Sequence, residues 1–560
     1  MPLPYSSRPW LSSYADGVPH EIDEPTQTLP EMMAASVSRY GKSPALEFFG
    51  ATTTYRELGR LIDHAAEGLR RLGVRAGDRV ALVLPNCPQH VAAFYAALRL
   101  GAIVIEHNPI YTPRELRHQF EDHGARFAIV WDKIADVVAE FPADLALEHV
   151  ISVDITRAMP RSKRLALRLP VRKAREARAQ LTSTPTSKKA RPWETLLTHG
   201  TLSRKHQGPR LDDIALLQYT SGTTGSPKGA VLTHANLRAN AMQGRAWVPG
   251  LRDGEETFYG VLPLFHAYGL TLCVTFAMSM GARLVLFPKF DPDLVLAVTK
   301  KHPATFLPLV PPIAERLLAA ATEKGVSLTG TDVAISGAMA LPHSLVVPFE
   351  EATGGYLVEG YGLSECSPVL MANPVADNRV AGTVGLPLPG TECRVVDPDD
   401  PRTDIERGEL LVRGPQVFSG YYGKPEETDA VFVDGWFRTG DIVTIDDGGF
   451  VRIVDRIKEL IITGGFNVAP TEVENVLRQH PSIADVAVVG LPSEHSGEEV
   501  VAAVVPSTPG EFDAEAVRAF ARGILTPYKV PKQIVVVDEL PRSLIGKVLR
   551  RQVRDRLLAD

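Results

Sequence analysis

At 560 residues the chain is too long for one ordinary hydrophobic core, so several packed subdomains are expected. With 44% hydrophobic and 22% charged residues of both signs it has a globular composition, which argues against global disorder. A net charge of -6 gives no whole-molecule reason to bind nucleic acid, so a polyanion has to be met by a local site.

Cys87, Cys273, Cys366 and Cys393 are scattered, with neither a CxxC pair nor the spacing of a disulfide framework or zinc site, and a reducing cytoplasm is expected. The first residues lack the basic region and apolar run of a signal peptide. Residues 54–73 have a helical pattern: Thr54 and Glu57 form a capping box, Leu58, Ile62, Ala65, Leu69 and Leu72 share a face, and Gly73 stops the helix. A strand follows at 80–84. Short apolar runs at 101–106, 126–131, 149–154 and 214–219 then alternate with helical patterns, which predicts α/β layers with largely parallel strands.

The composition changes sharply over 157–191, where twelve Lys and Arg stand against the single acid Glu176. Taken alone, this is either a solvated insertion or a membrane-surface patch, since Leu165, Leu167, Leu169 and Val171 interleave with the cations. Pro170 argues against one continuous helix. Further on, 270–282 is apolar but interrupted by Thr271, Thr275 and Ser279 and is too short to span a bilayer, so a buried helix is expected. That helix and the stretch 307–310 are either core or the lining of an acyl tunnel. The last hundred residues have another rhythm, with strands at 484–490, 499–505 and 533–537 and a helix at 514–525, suited to a small α+β domain.

The most informative segment follows the strand at 214–219: Thr220, Ser221, Gly222, Thr223, Thr224, Gly225, Ser226, Pro227 and Lys228. Glycines let backbone N–H groups converge on an anion, hydroxyls add donors, and a lysine supplies a point charge. Lys228 lies three residues after Gly225 and is followed by Gly229, so the Walker A spacing fails. Composition alone leaves a phosphate cradle and a flexible loop open.

This stretch resembles the phosphate loop of the adenylate-forming superfamily of acyl- and aryl-CoA synthetases, luciferases and peptide-synthetase adenylation domains. The likeness continues in order through Leu262-Pro-Leu-Phe-His266-Ala-Tyr-Gly269, Ser336-Gly337-Ala338-Met339, Glu359-Gly360-Tyr361-Gly362-Leu363-Ser364-Glu365, Phe437-Arg-Thr-Gly-Asp441, Asp455-Arg456-Ile-Lys458-Glu459, Gly464-Gly465 and Pro541-Arg-Ser-Leu-Ile-Gly546-Lys547. Within the superfamily it is similar above all to long-chain fatty-acid–CoA ligases.

The resemblance implies an α/β body of several subdomains with layered sheets and helices over 1–457, containing the basic insert, and a small mobile α+β C-terminal domain over 458–560. It implies ATP and Mg²⁺, coenzyme A as co-substrate, and an acid activated first as acyl-AMP and then passed to the thiol. A medium- to long-chain fatty acid is the expected substrate; an aryl or cinnamoyl acid, or a carrier-protein acceptor, are the alternatives. Thr220 to Gly225, Lys228, Gly337, Ala338, Glu359, Gly360, Tyr361, Gly362, Ser364, Asp441 and Arg456 are then expected to hold the nucleotide. Tyr361 stacks on adenine, Ser364 reaches the α-phosphate where relatives more often have threonine, and Asp441 with Arg456 holds the ribose. Glu365 is the expected Mg²⁺ ligand, His266 a gate at the acyl entrance, Lys458 the hinge, Gly464 and Gly465 the pantetheine passage, and Lys547 the catalytic cation. A cytoplasmic location is expected, and if the insert at 157–191 is a membrane-surface patch and not a solvated insertion, the contact is peripheral, on the inner membrane face.

Overall fold

The computed structural model describes residues 5–220, 227–463, 466–493, 497–508, 510–543 and 546–559. The expected capping box forms: Thr54 accepts from the backbone of Glu57, the helix runs Tyr55–Leu72, and Gly73 closes it in the left-handed region at φ 106°.

Among the described residues the body holds two large sheets. One has seven strands in the order Ala190–Pro192, His149–Val153, Phe127–Trp131, Arg79–Val83, Ile103–Glu106, Ile214–Thr220 and Lys228–Thr233, all parallel except the last pair. The strands read from the apolar runs are therefore present and parallel, because each is buried on both faces by helices. The other has nine strands. Its parallel centre includes Thr257–Gly260, Phe306–Leu309, Val333–Ser336 and Tyr356–Gly362, with antiparallel strands at its ends. Parallel strands deliver all their carboxyl ends to one edge, which is where α/β proteins build sites. Thr220, the loop carrying His266, Gly337 with Ala338, and Gly362 to Glu365 all leave strands at such ends.

A five-stranded antiparallel sheet follows, including Arg407–Arg413, Trp436–Ile445 and Val451–Arg456. Buried apolar residues up to Val451 and those from Ile461 onward form separate clusters. The C-terminal clusters surround a sheet containing Ile483–Ser493, Gly497–Pro506 and Gln533–Val536, close to the strands expected. The helices Pro470–Leu477 and Arg550–Ala559 were not read from the sequence.

The apolar stretch at 270–282 is buried as expected, but it is not a uniform α-helix: Leu270–Phe276 is a π-turn between short α segments. The Thr271 hydroxyl donates to the Ser367 carbonyl at 2.5 Å, tying this wide turn to the loop that carries Ser364 and Glu365. Among the described residues no helix is long and apolar enough to cross a membrane.

In the basic insert the chain turns at Pro170, between helices Arg161–Ala166 and Arg172–Leu181. Its far end is fastened by Trp131 Nε1 donating to the Leu181 carbonyl at 2.9 Å and by Asp136 accepting from the backbones of Thr186 and Ser187. Leu167 and Leu181 lean on the core, whereas Leu165, Leu169 and Val171 are 64%, 54% and 52% exposed.

Candidate functional site

A connected cleft of about 2280 Å³ runs along the carboxyl ends of both large sheets and beneath the C-terminal domain. Its wall includes Thr220, Lys228, His266, Gly337, Ala338, Gly360, Tyr361, Gly362, Ser364, Glu365, Arg456, Lys458 and Lys547. Residues separated by more than three hundred positions in the chain thus face one space. Ser221, Gly222, Thr223, Thr224, Gly225, Gly464 and Gly465 lie outside the described residues.

Asp441 and Arg456 stand opposite each other on neighbouring antiparallel strands, and that register brings the guanidinium Nε to 3.0 Å from Asp441 Oδ1. The Tyr361 hydroxyl donates to the other oxygen of the same carboxylate at 2.5 Å. Asp441 is therefore set behind Tyr361 and Arg456, buried, with its charge directed at both. Glu359 likewise lies behind the wall. Its carboxyl accepts the backbone N–H of Leu341, and burial pushes its pKa up to about 8.

Glu365 is buried on the short turn Ser364–Cys366 and accepts the Tyr421 hydroxyl at 2.8 Å. Burial raises its pKa, opposed by that hydrogen bond and by the charge of Arg456. The same Tyr421 ring lies 5.1 Å from the Lys228 ammonium, a cation–π distance. Tyr421 thus links the expected metal ligand to the expected phosphate lysine. Nothing in the sequence pattern marked it, because the partners come from strands far apart in the chain.

The cations in the cleft act on one another. The Lys458 pKa is lowered by burial and by the charges of Lys228 and Arg456. Lys547 is pushed down to about 8 by burial first and then by Arg456, against the opposing pull of Glu459 and Asp441. Cations gathered at this density imply an anionic ligand among them.

Lys547 is delivered by a turn in which the Gly546 N–H donates to the Ser543 carbonyl at 2.9 Å and the Ser543 N–H to the Lys547 carbonyl at 2.8 Å. Gly546 has φ 81°, and a β-carbon there would come within 3.1 Å of Pro312 Cγ in the body. The left-handed φ favours glycine, and the close Pro312 ring adds crowding that any side chain would have to push aside. Behind this turn Arg550 donates to Glu474 at 2.8 Å and pairs with Glu459, joining the last helix to the segment just after Lys458.

His266 is half-buried at the wall, its Nδ1 accepting the Tyr268 N–H at 3.3 Å, and burial pushes its pKa down to about 4. It is neutral at physiological pH. Beyond it the cleft continues as an apolar arm lined by Gly244, Trp247 and Val248 of helix His234–Trp247 and its end, Leu272 and Phe276 of the wide turn, and Phe306. The 270–282 segment is thus both core and lining. The part played by the helix that follows the phosphate loop was not read from the sequence.

Residues 33–422 match the family model described as AMP-binding enzyme, and residues 472–547 match that for the AMP-binding enzyme C-terminal domain. The chain is 37% identical over 98% of both chains to a long-chain-fatty-acid–CoA ligase of Bacillus subtilis (strain 168). It is 38% identical, again over 98% of both, to a protein of the same description from Escherichia coli O157:H7. Among solved structures it superposes on ATP-bound MatB from Rhodopseudomonas palustris with a TM-score of 0.80 and 28% identity, over 95% of this chain and 99% of that one.

Proposed function

Because the chain belongs to the AMP-binding enzyme family, we propose that it is an ATP-dependent fatty-acid–CoA ligase for medium- to long-chain acids. The observation that carries this reading is the union, in one cleft, of a polycationic chamber and an apolar arm. An acid whose carboxylate meets the nucleotide beside Lys547 and whose chain fills the arm satisfies both ends. In the first step a carboxylate oxygen attacks the α-phosphorus of ATP, the bond to the bridging oxygen breaks, and pyrophosphate leaves. In the second the thiol sulfur of coenzyme A attacks the acyl carbon, AMP departs, and the thiol proton is released to base.

The roles follow the family resemblance, and the cleft lining supports them for the residues it contains. Lys547 stabilises the charge that builds as two anions meet. Asp441 and Arg456 address the ribose, Tyr361 the adenine, and Ser364 the α-phosphate. His266, uncharged, borders the acyl entrance. Glu365 suits Mg²⁺, which binds through one or two carboxylates with the remaining ligands from phosphate and water, and the ion would neutralise charge on the leaving pyrophosphate. We assign 1–457 as the nucleotide- and acid-binding body and 458–560 as a lid turning about Lys458, with coenzyme A passing Gly464 and Gly465. The experiment is AMP release from palmitate, ATP, Mg²⁺ and coenzyme A, compared with benzoate and ferulate. Thioester formation with palmitate supports the reading, and turnover confined to the aryl acids overturns its fatty-acid part.

The insert at 157–191 supports peripheral contact with an anionic bilayer. Its turn presents Leu169 and Val171 to solvent between Arg168 and Arg172 while the base is fastened to the body. Each cation near such a surface contributes about 1 kcal/mol. Deleting 160–188 is expected to abolish sedimentation with phosphatidylglycerol vesicles at low salt while turnover of soluble octanoate continues. Equal sedimentation of both proteins would remove the membrane role.

A further inference from the structure

The apolar arm has a floor. Helix His234–Trp247 runs beside it from Asn240, whose Nδ2 donates to the Val369 carbonyl at 2.7 Å near the Ser364 turn, to Trp247. Seven residues of α-helix advance about 10 Å, so Trp247 lies well down the arm from the reacting end. Its ring is 2% exposed and fixed on two sides: Nε1 donates to the Asn373 carbonyl at 3.1 Å, and Tyr14 meets it edge-on with centroids 5.1 Å apart. Tyr14 is itself anchored through its hydroxyl to the Pro387 carbonyl, and Asn373 donates from Nδ2 to the Thr383 carbonyl at 2.8 Å. These contacts hold the indole from two sides. One helical turn back along the helix, Gly244 presents bare backbone to the cleft opposite Phe276, and even a β-carbon there would already reach contact with that ring at 3.5 Å.

We propose that Trp247 sets the longest acyl chain this enzyme accepts and that the absent side chain at Gly244 is what lets chains reach it. The inference rests on the fatty-acid reading above and adds the residues that measure length. A chain long enough to strike a fixed indole has to buckle or leave its carboxylate short of the cations. One extra methylene with nowhere to go costs a hydrophobic pocket about tenfold or more in discrimination.

The test is kcat/KM for saturated acids from octanoate to stearate, measured by AMP release. The wild-type profile judges the fatty-acid reading by itself, since activity on some member of the series is all that reading needs. Trp247→Ala is expected to move the optimum to longer acids and raise the stearate-to-octanoate ratio about tenfold. Gly244→Leu, which fills the arm above the floor, is expected to lower the same ratio at least as much. Trp247→Phe, which keeps an aromatic ring in the core, is expected to shift in the direction of alanine by less, and it serves where the alanine variant does not fold. If Gly244→Leu and Trp247→Phe both leave the stearate-to-octanoate ratio at its wild-type value, Trp247 is not the floor.

Discussion

Lys547→Ala is expected to slow acyl-adenylate formation about 100- to 1000-fold, the loss found when a single oxyanion-stabilising donor is removed. The argument is electrostatic. The attacking carboxylate and the triphosphate repel each other, and the ammonium reaches the cleft beside Arg456 from a turn held by Ser543. Thioester formation from synthetic acyl-AMP is expected to survive, because that step displaces AMP and gathers no second anion at phosphorus. Burial and Arg456 hold the Lys547 pKa down to about 8, so the cation is present below that value and lost above it. Wild-type kcat/KM for adenylation, which reports the unliganded enzyme, is therefore expected to fall as pH rises through about 8, and the residual activity of the alanine variant should lack that limb. Rapid-quench measurement of each half-reaction across pH decides the matter. Equal loss in both half-reactions, or a limb that persists in the variant, defeats the assignment.

Asp441→Ala is expected to weaken ATP binding about 100-fold. Asp441 holds Arg456 and Tyr361 in place from behind the wall, and losing those two charge-assisted hydrogen bonds costs the nucleotide site about 3 kcal/mol. Asp441→Asn keeps the shape and one acceptor, so a loss of about tenfold is expected there. Tyr361→Phe removes only the hydroxyl anchor and separates the positioning of Asp441 from its contact with nucleotide. Calorimetric titration with ATP in the absence of acid reads these differences directly. If all three variants bind ATP like the wild type, the ribose lies elsewhere.

The parts of this architecture visible in the sequence were those encoded locally. The helix Tyr55–Leu72 carries its own cap and stop, and the parallel strands announce themselves as short apolar runs between amphipathic stretches. Family resemblance named Asp441 and Arg456, but only the antiparallel register explains why residues fifteen apart meet. Tyr421 escaped notice because its two relevant contacts, Glu365 and Lys228, arise from tertiary packing and leave no spacing to find. Trp247 escaped for a related reason, since an aromatic at the end of an amphipathic helix reads as ordinary core until the strands around it are placed. The basic insert was legible as a change in composition, while the fastening of its base to Trp131 and Asp136 required the fold.

The glycine before Lys547 fixes more than its own dihedral angles. Bare backbone passes Pro312 there, where a β-carbon would come to 3.1 Å from the proline ring, tighter than side chains ordinarily pack. The lysine stem is flexible but finite, so where its backbone sits bears on how far into the cleft its charge extends. Thickening the seam by one methyl group would hold the ammonium back by a few tenths of an ångström, and catalysis is steeply sensitive to errors on the ångström scale. The residue with no side chain is thus tied to the placing of the charge beside it.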